Sequence, residues 1–169
     1  MRYMAFAVLA SGALALSACG SETEGTFTTE DGETGEYTID QDSGEASMTV
    51  STPDGDVTMR SGNEVPIDLP GGFSLISGAE VLSNTVVSQA DSTGSLVTFK
   101  SDKAPQEIAD FYREEAARAG VEIQIETSIN GGRMIGGEHD ESGLTFSVTA
   151  YPDDDGNTIG QLTIGEDPG

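Results

Sequence analysis

The sequence predicts an α+β protein in which one amphipathic helix packs on an antiparallel sheet, in the order β-β-α-β-β-β-β. A small β-meander and an acidic tether precede that module. Three observations carry this expectation. One stretch, Pro105 to Ala119, repeats apolar residues at three-four spacing, as a helix with one buried stripe does. Several shorter stretches alternate apolar and polar residues at the two-residue period of a half-buried strand. Asp-Gly, Asn-Gly and other glycine-rich turns stand between them.

The chain opens with Arg2 as its first basic residue, then runs apolar from Ala5 to Leu16, interrupted only by Ser11 and Gly12. A short positive region, an apolar run of roughly 7–15 residues and small residues after it are the layout of a secretory signal. The run is too short to span a bilayer, which takes about 20 apolar residues. It ends Leu16-Ser17-Ala18-Cys19-Gly20, with Cys19 the one cysteine of the chain. These residues resemble the lipobox of bacterial lipoprotein precursors. The resemblance implies a diacylglycerol on the Cys19 thiol, cleavage between Ala18 and Cys19, and acylation (palmitate or a similar chain) of the new amine. The competing reading is an ordinary signal peptide that leaves Cys19 as a free thiol.

Residues 1–18 are therefore expected as a lipoprotein signal peptide and 19–34 as a lipidated acidic tether. Residues 35–62 are expected as the small meander and 63–169 as the α+β domain. Each buried methylene of the lipid contributes about 0.8 kcal/mol, so several chains on one residue hold without help. No apolar or basic membrane-binding surface is expected on the protein itself. In Gram-negative lipoproteins Asp after the cysteine retains the protein at the inner membrane. Gly20 at that place implies the outer membrane, periplasmic side, with the inner membrane as the alternative.

The formal charge is −23, and all 30 acidic residues lie after Cys19. Such a chain repels phosphate backbones, so no nucleic-acid partner is expected. The partners expected are the membrane, through the lipid on Cys19, and another envelope protein. From Ser21 to Met59 there is no lysine or arginine. Ser21 to about Glu33 has the composition of an extended, self-repelling tether. Alternation then appears in Tyr37/Ile39, Met48/Val50 and Val57/Met59, with turns at Gln41–Gly44 and Pro53–Gly55, which predicts three strands.

Val65-Pro66-Ile67-Asp68-Leu69-Pro70 reads as an extended lead-in, because two prolines exclude helix. Ala79–Val87 and Ser95–Lys100 read as strands joined by a turn at Asp91–Gly94. The helix follows, with Ile108, Phe111, Tyr112, Ala116 and Ala119 as its apolar stripe. Pro105 suits its first turn, Glu107 and Asp110 its positive end, Arg118 its negative end, and Gly120 its stop. Val121, Ile123 and Ile125 are expected to point inward from the next strand. Asn130-Gly131-Gly132 turns into Arg133-Met134-Ile135. Leu144, Phe146, Val148 and Ala150 form the next buried face, and Asp153–Asn157 turns into Ile159–Ile164. The stretch Asp110-Phe111-Tyr112-Arg113 through Ala119-Gly120-Val121 is similar to a segment of many small uncharacterised proteobacterial lipoproteins. The pattern also resembles the helix-grip modules of outer-membrane assembly lipoproteins. Neither resemblance brings a catalytic residue.

No catalytic, cofactor-binding or metal-binding set emerges from the residues. His139 is the one histidine, with Glu138, Asp140 and Glu141 beside it, in what reads as a hairpin turn. Asp153-Asp154-Asp155-Gly156-Asn157 approaches a calcium loop, but Tyr151 and Leu162 occupy its first and last ligand positions. A tight acidic turn accounts for it better. No G-x-S-x-G elbow is present, and the paired glycines fall outside strand-to-helix junctions. A non-enzymatic binding or envelope-accessory role is expected. The alternative is a small ligand-binding protein or enzyme using the concave face of the sheet.

Overall fold

The computed structural model describes residues 22–30, 32–53, 55–90 and 92–166. The signal segment and Cys19 lie outside the described residues. The described residues form ten strands, β1 (Glu22–Thr28), β2 (Thr34–Asp40), β3 (Ala46–Thr52), β4 (Gly55–Gly62), β5 (Glu80–Gln89), β6 (Ser92–Ser101), β7 (Glu122–Ile129), β8 (Gly132–His139), β9 (Leu144–Pro152) and β10 (Thr158–Glu166), and one α-helix, α1 (Pro105–Arg118). All ten strands belong to one antiparallel sheet, ordered β1-β2-β3-β4-β5-β6-β10-β9-β8-β7. The α+β class with one helix on an antiparallel sheet is therefore observed. The order along the whole chain differs from the expected pattern.

Two differences lie near the N-terminus. Glu22–Thr28, expected within the tether, is strand β1 and pairs along its length with β2. Its acids explain both the expectation and its failure. Glu22 and Glu24 share one face of the strand, so the other face is free to carry Thr23, Gly25 and Phe27. The meander is also not a sheet of its own, because β4 pairs with β5 from Val57↔Gln89 to Gly62↔Asn84. Alternation reveals a strand but not the strand it pairs with, and β4 had an open edge to fill.

The joint of the fold is β10, which enters last and pairs with both β6 and β9. The chain therefore leaves β6 and must reach β7, four strand spacings away. At about 4.8 Å per spacing that is roughly 19 Å. The 14 residues of α1 cover about 21 Å at 1.5 Å each, so the helix is the right length to bridge. It lies over β8 and β9 and touches β7 and β10. Ile108, Ala109, Tyr112 and Ala116 of α1 are buried against Val97, Phe99, Ile135, Phe146, Val148, Leu162 and Ile164. Leu69, Phe73 and Ile76, from the irregular segment between β4 and β5, close the same core.

Local chemistry sets the helix ends. Pro105 occupies the first turn, and Glu107 Oε2 accepts the Ala104 N–H at 2.9 Å. At the other end Gly120 takes φ +75°, and the Val121 N–H reaches back to the Ala116 carbonyl at 2.9 Å. That is the left-handed stop a glycine allows.

Two strand expectations are corrected. Ser92–Gly94, expected as turn, belong to β6, and Gln89 pairs directly with Ser92. The polar run misleads there because this end of β6 has little apolar company to mark it. Ile125, expected inside, is 51 % exposed. A bulge between Ile123 and Ile125 shifts the register against β8, and one extra residue reverses every later side chain. Ile123 packs at the core. Beyond the bulge Glu126 faces α1, where it pairs with Arg113 at 2.7 Å.

On β10, Gly160 faces the core beneath Phe99. A Cβ there would stand 2.2 Å from the Phe99 ring, which is fully buried and has nowhere to go. Gly160→Ala should cost about 1–3 kcal/mol, the usual range for overpacking, measured by urea denaturation. An unchanged midpoint would show that the ring is not confined.

Candidate functional site

Tyr112 and Glu115 stand one helical turn apart on the buried side of α1, under the segment Phe73–Ile76. Glu115 continues the stripe of Ile108 and Tyr112 at three-four spacing, yet its carboxylate is 3 % exposed. Burying a carboxylate is costly unless it is paired, and here both oxygens have partners. Oε2 accepts the Ser74 N–H at 2.7 Å, and Oε1 pairs with the Arg118 guanidinium. Glu115 thereby ties the irregular segment to the helix. The sequence reading overlooked it because an acid in an apolar stripe breaks the pattern being sought. That break, at helical spacing, was the available signal.

The Tyr112 side chain is fully buried. Its hydroxyl faces the Ile76 backbone but has no hydrogen bond of acceptable geometry. Burial pushes its ionisation well above the usual phenol range. The Ile76 backbone opposes this, and the Glu115 charge adds to it. Tyr112 therefore stays a neutral phenol, suited to hold a polar group rather than to take a proton. The Phe111 ring stands edge-on to the Tyr112 ring at 5.0 Å.

His139 lies at the end of β8. Its Nδ1 accepts the Ser142 N–H at 3.3 Å, and its ring sits against Gly120, where a Cβ would come within 2.9 Å of Cδ2. Glu122, Glu138, Asp140 and Glu141 line the same shallow cleft of about 220 Å³. The fold thus adds Gly120 and Glu122 to the neighbours expected from sequence. Glu138 is engaged by the Gln124 amide at 2.7 Å. Among the described residues no group of three or more His, Cys, Asp or Glu side chains is placed to hold a metal ion.

The Asp153–Asn157 loop is a closed turn. The Asp153 carboxylate accepts the Asn157 N–H at 2.7 Å and the Asp155 N–H at 3.0 Å, and Lys100 approaches it at 3.2 Å. Both Asp153 oxygens are thus engaged, Oδ1 by the turn and Oδ2 by Lys100. Desolvation works against the Asp153 charge, but these donors and Lys100 outweigh it and hold the carboxyl below its ordinary range.

The described residues thus form a helix laid across an antiparallel sheet, with a buried phenol and a buried carboxylate on the inward side of the helix. Residues 81–157, from β5 into the turn after β9, match a family model described as START domain-like. No curated protein and no solved structure matches the chain.

Two predictions follow from these contacts. Leaving a buried hydroxyl unpaired costs about 1–3 kcal/mol, so Tyr112→Phe should leave the ligand-free protein as stable or more so in thermal melts. A clear loss would show that the hydroxyl is paired. Asp110 accepts hydrogen bonds from Arg113 and from Gln106, and these hold its carboxyl below its ordinary range. A depressed folded value stabilises above the unfolded value, near 3.9, and the gain is lost as pH falls through the folded one. The stability difference between the protein and Arg113→Ala should therefore be steady from neutrality to about pH 5 and shrink below about pH 4. A difference that grows on acidification would contradict this.

Proposed function

We propose that this protein is a lipoprotein, held on the periplasmic side of the outer membrane by lipid on Cys19. There it presents a non-catalytic α+β binding module to another envelope component. The observation that carries the reading is Leu16-Ser17-Ala18-Cys19 at the end of the N-terminal apolar run. Gly20 after the cysteine favours the outer over the inner membrane. No helix among the described residues is long and apolar enough to cross a membrane, so a lipid at Cys19 would supply the hold. The mass of the mature protein from envelope fractions should exceed that of the chain beginning at Cys19 by a diacylglycerol and an acyl chain. Cys19→Ser should yield an uncleaved or soluble form. An unmodified Cys19 thiol on the mature chain would refute the anchor.

A second reading is favoured by the unpaired Tyr112 hydroxyl together with the START domain-like match. In it, α1 and the Phe73–Ile76 segment part to grip a small apolar ligand, and Tyr112 donates to that ligand's one polar group. Native mass spectrometry of protein purified from its source should then show a bound molecule, with occupancy reduced several-fold in Tyr112→Phe. A ligand-free spectrum would remove this reading and leave the first intact.

A further inference from the structure

The apolar face of the sheet changes sides along its width. Under α1 it faces the helix, but from β1 to β4 the apolar residues stand on the opposite face, and on β5 Val87 joins them while Val81 stays with the core. Tyr37, Met48, Met59 and Val87 are consecutive cross-strand neighbours in one row. Val50 and Val57 flank the row on one side, and Ile39 and Leu96 lie on the other. The Tyr37 ring fills the space beside Gly25, and the Phe27 ring fills the space beside Gly35, at 2.4 and 2.3 Å from where a Cβ would stand. Any side chain at either glycine would lift its ring, so the glycines keep this surface flat. Ile39, Val87 and Leu96 are 43, 38 and 36 % exposed, and among the described residues the main contacts of β1–β3 are with their sheet neighbours. No charged residue stands on this face from β1 to β4. Glu22, Glu24, Glu36, Asp40, Asp56 and Arg60 all take the other face. Only register lines these scattered residues up.

We propose that this face lies on the membrane surface, against zwitterionic phospholipid, with α1 turned away toward the periplasm; this rests on the lipid-anchor reading. Three observations choose the bilayer as occupant. Cys19 precedes Glu22 by three residues, and three residues can span at most about 10 Å, so a lipid on Cys19 would keep β1 close to the bilayer. The acids lie about one sheet thickness, roughly 10 Å, behind the face, beyond the screening length of about 8 Å at physiological salt. Polarity also grows away from the anchor. The same face becomes Gln161 and Thr163 on β10, then Thr145, Ser147 and Thr149 on β9.

The test uses the lipidated mature protein in phosphatidylcholine vesicles carrying nitroxide-labelled lipid. Met48→Cys and Thr49→Cys place a fluorophore on opposite faces of β3. Quenching should be several-fold stronger at 48 than at 49, and Val87→Glu should abolish the difference while leaving circular dichroism unchanged. Equal quenching at both positions overturns the proposal. Protection of position 48 that follows protein concentration and needs no lipid would assign the face to a second copy and overturns it too. In the unlipidated Cys19→Ser chain, weak flotation with phosphatidylcholine vesicles should be lost in Val87→Glu. This arm separates the two claims. A mature protein without lipid defeats the anchor reading, whereas flotation that ignores Val87→Glu defeats the membrane face.

Discussion

The structure depends on α1 lying across β10, β9 and β8. The sheet buries a continuous row of apolar side chains there, and the helix is the layer that takes them from water. Tyr112 and Ile108 share one core with Phe99, Ile135, Val148 and Leu162, all fully or almost fully buried. Burying each large apolar side chain is worth about 1.5–3 kcal/mol. The connection from β6 to β7 must cross those same strands, so topology and burial ask for the same helix. Glycines at positions 120 and 160 serve this arrangement, one by ending the helix and one by leaving room for Phe99.

Glu115 qualifies that apolar contact. A carboxylate in a helix–sheet interface is tolerable only with both oxygens engaged, and its two partners come from different elements, Ser74 and Arg118. The pairing ties the irregular stretch before β5 to the helix, so the lid over Tyr112 is held by hydrogen bonding as well as by Phe73 and Ile76. Breaking such a pair by removing one partner costs more than the pair contributes, because a buried charge is left alone. Tyr112 stands beside this tie with its buried hydroxyl facing the Ile76 backbone and without a hydrogen bond of its own.

Charge and apolarity are sorted by face rather than by region. The N-terminal strands look too acidic to pack when read along the chain. Read across the register, their acids share one face and their apolar residues the other. A period of two makes this inevitable once the strands are paired, and the pairing decides which side meets solvent. The C-terminal strands make the opposite choice because α1 covers that side of them.

The helix, its stop at Gly120, the turn at Asn130-Gly131 and the alternating strands β9 and β10 were legible in the sequence. Each rests on interactions within a few residues, and such chemistry is written locally. So was the Leu16–Cys19 motif, whose structural setting lies outside the described residues. Tertiary structure decided the rest. The pairing of β4 with β5, the insertion of β10 between β6 and β9, and strand β1 all depend on partners distant in the chain. The bulge that turns Ile125 outward is a register event. The partners of Glu115 belong to a segment 41 residues away and to the next turn of its own helix. The amino acids state which residues prefer to leave water; only the assembled sheet determines which of them succeed and which are left on a face for something else to cover.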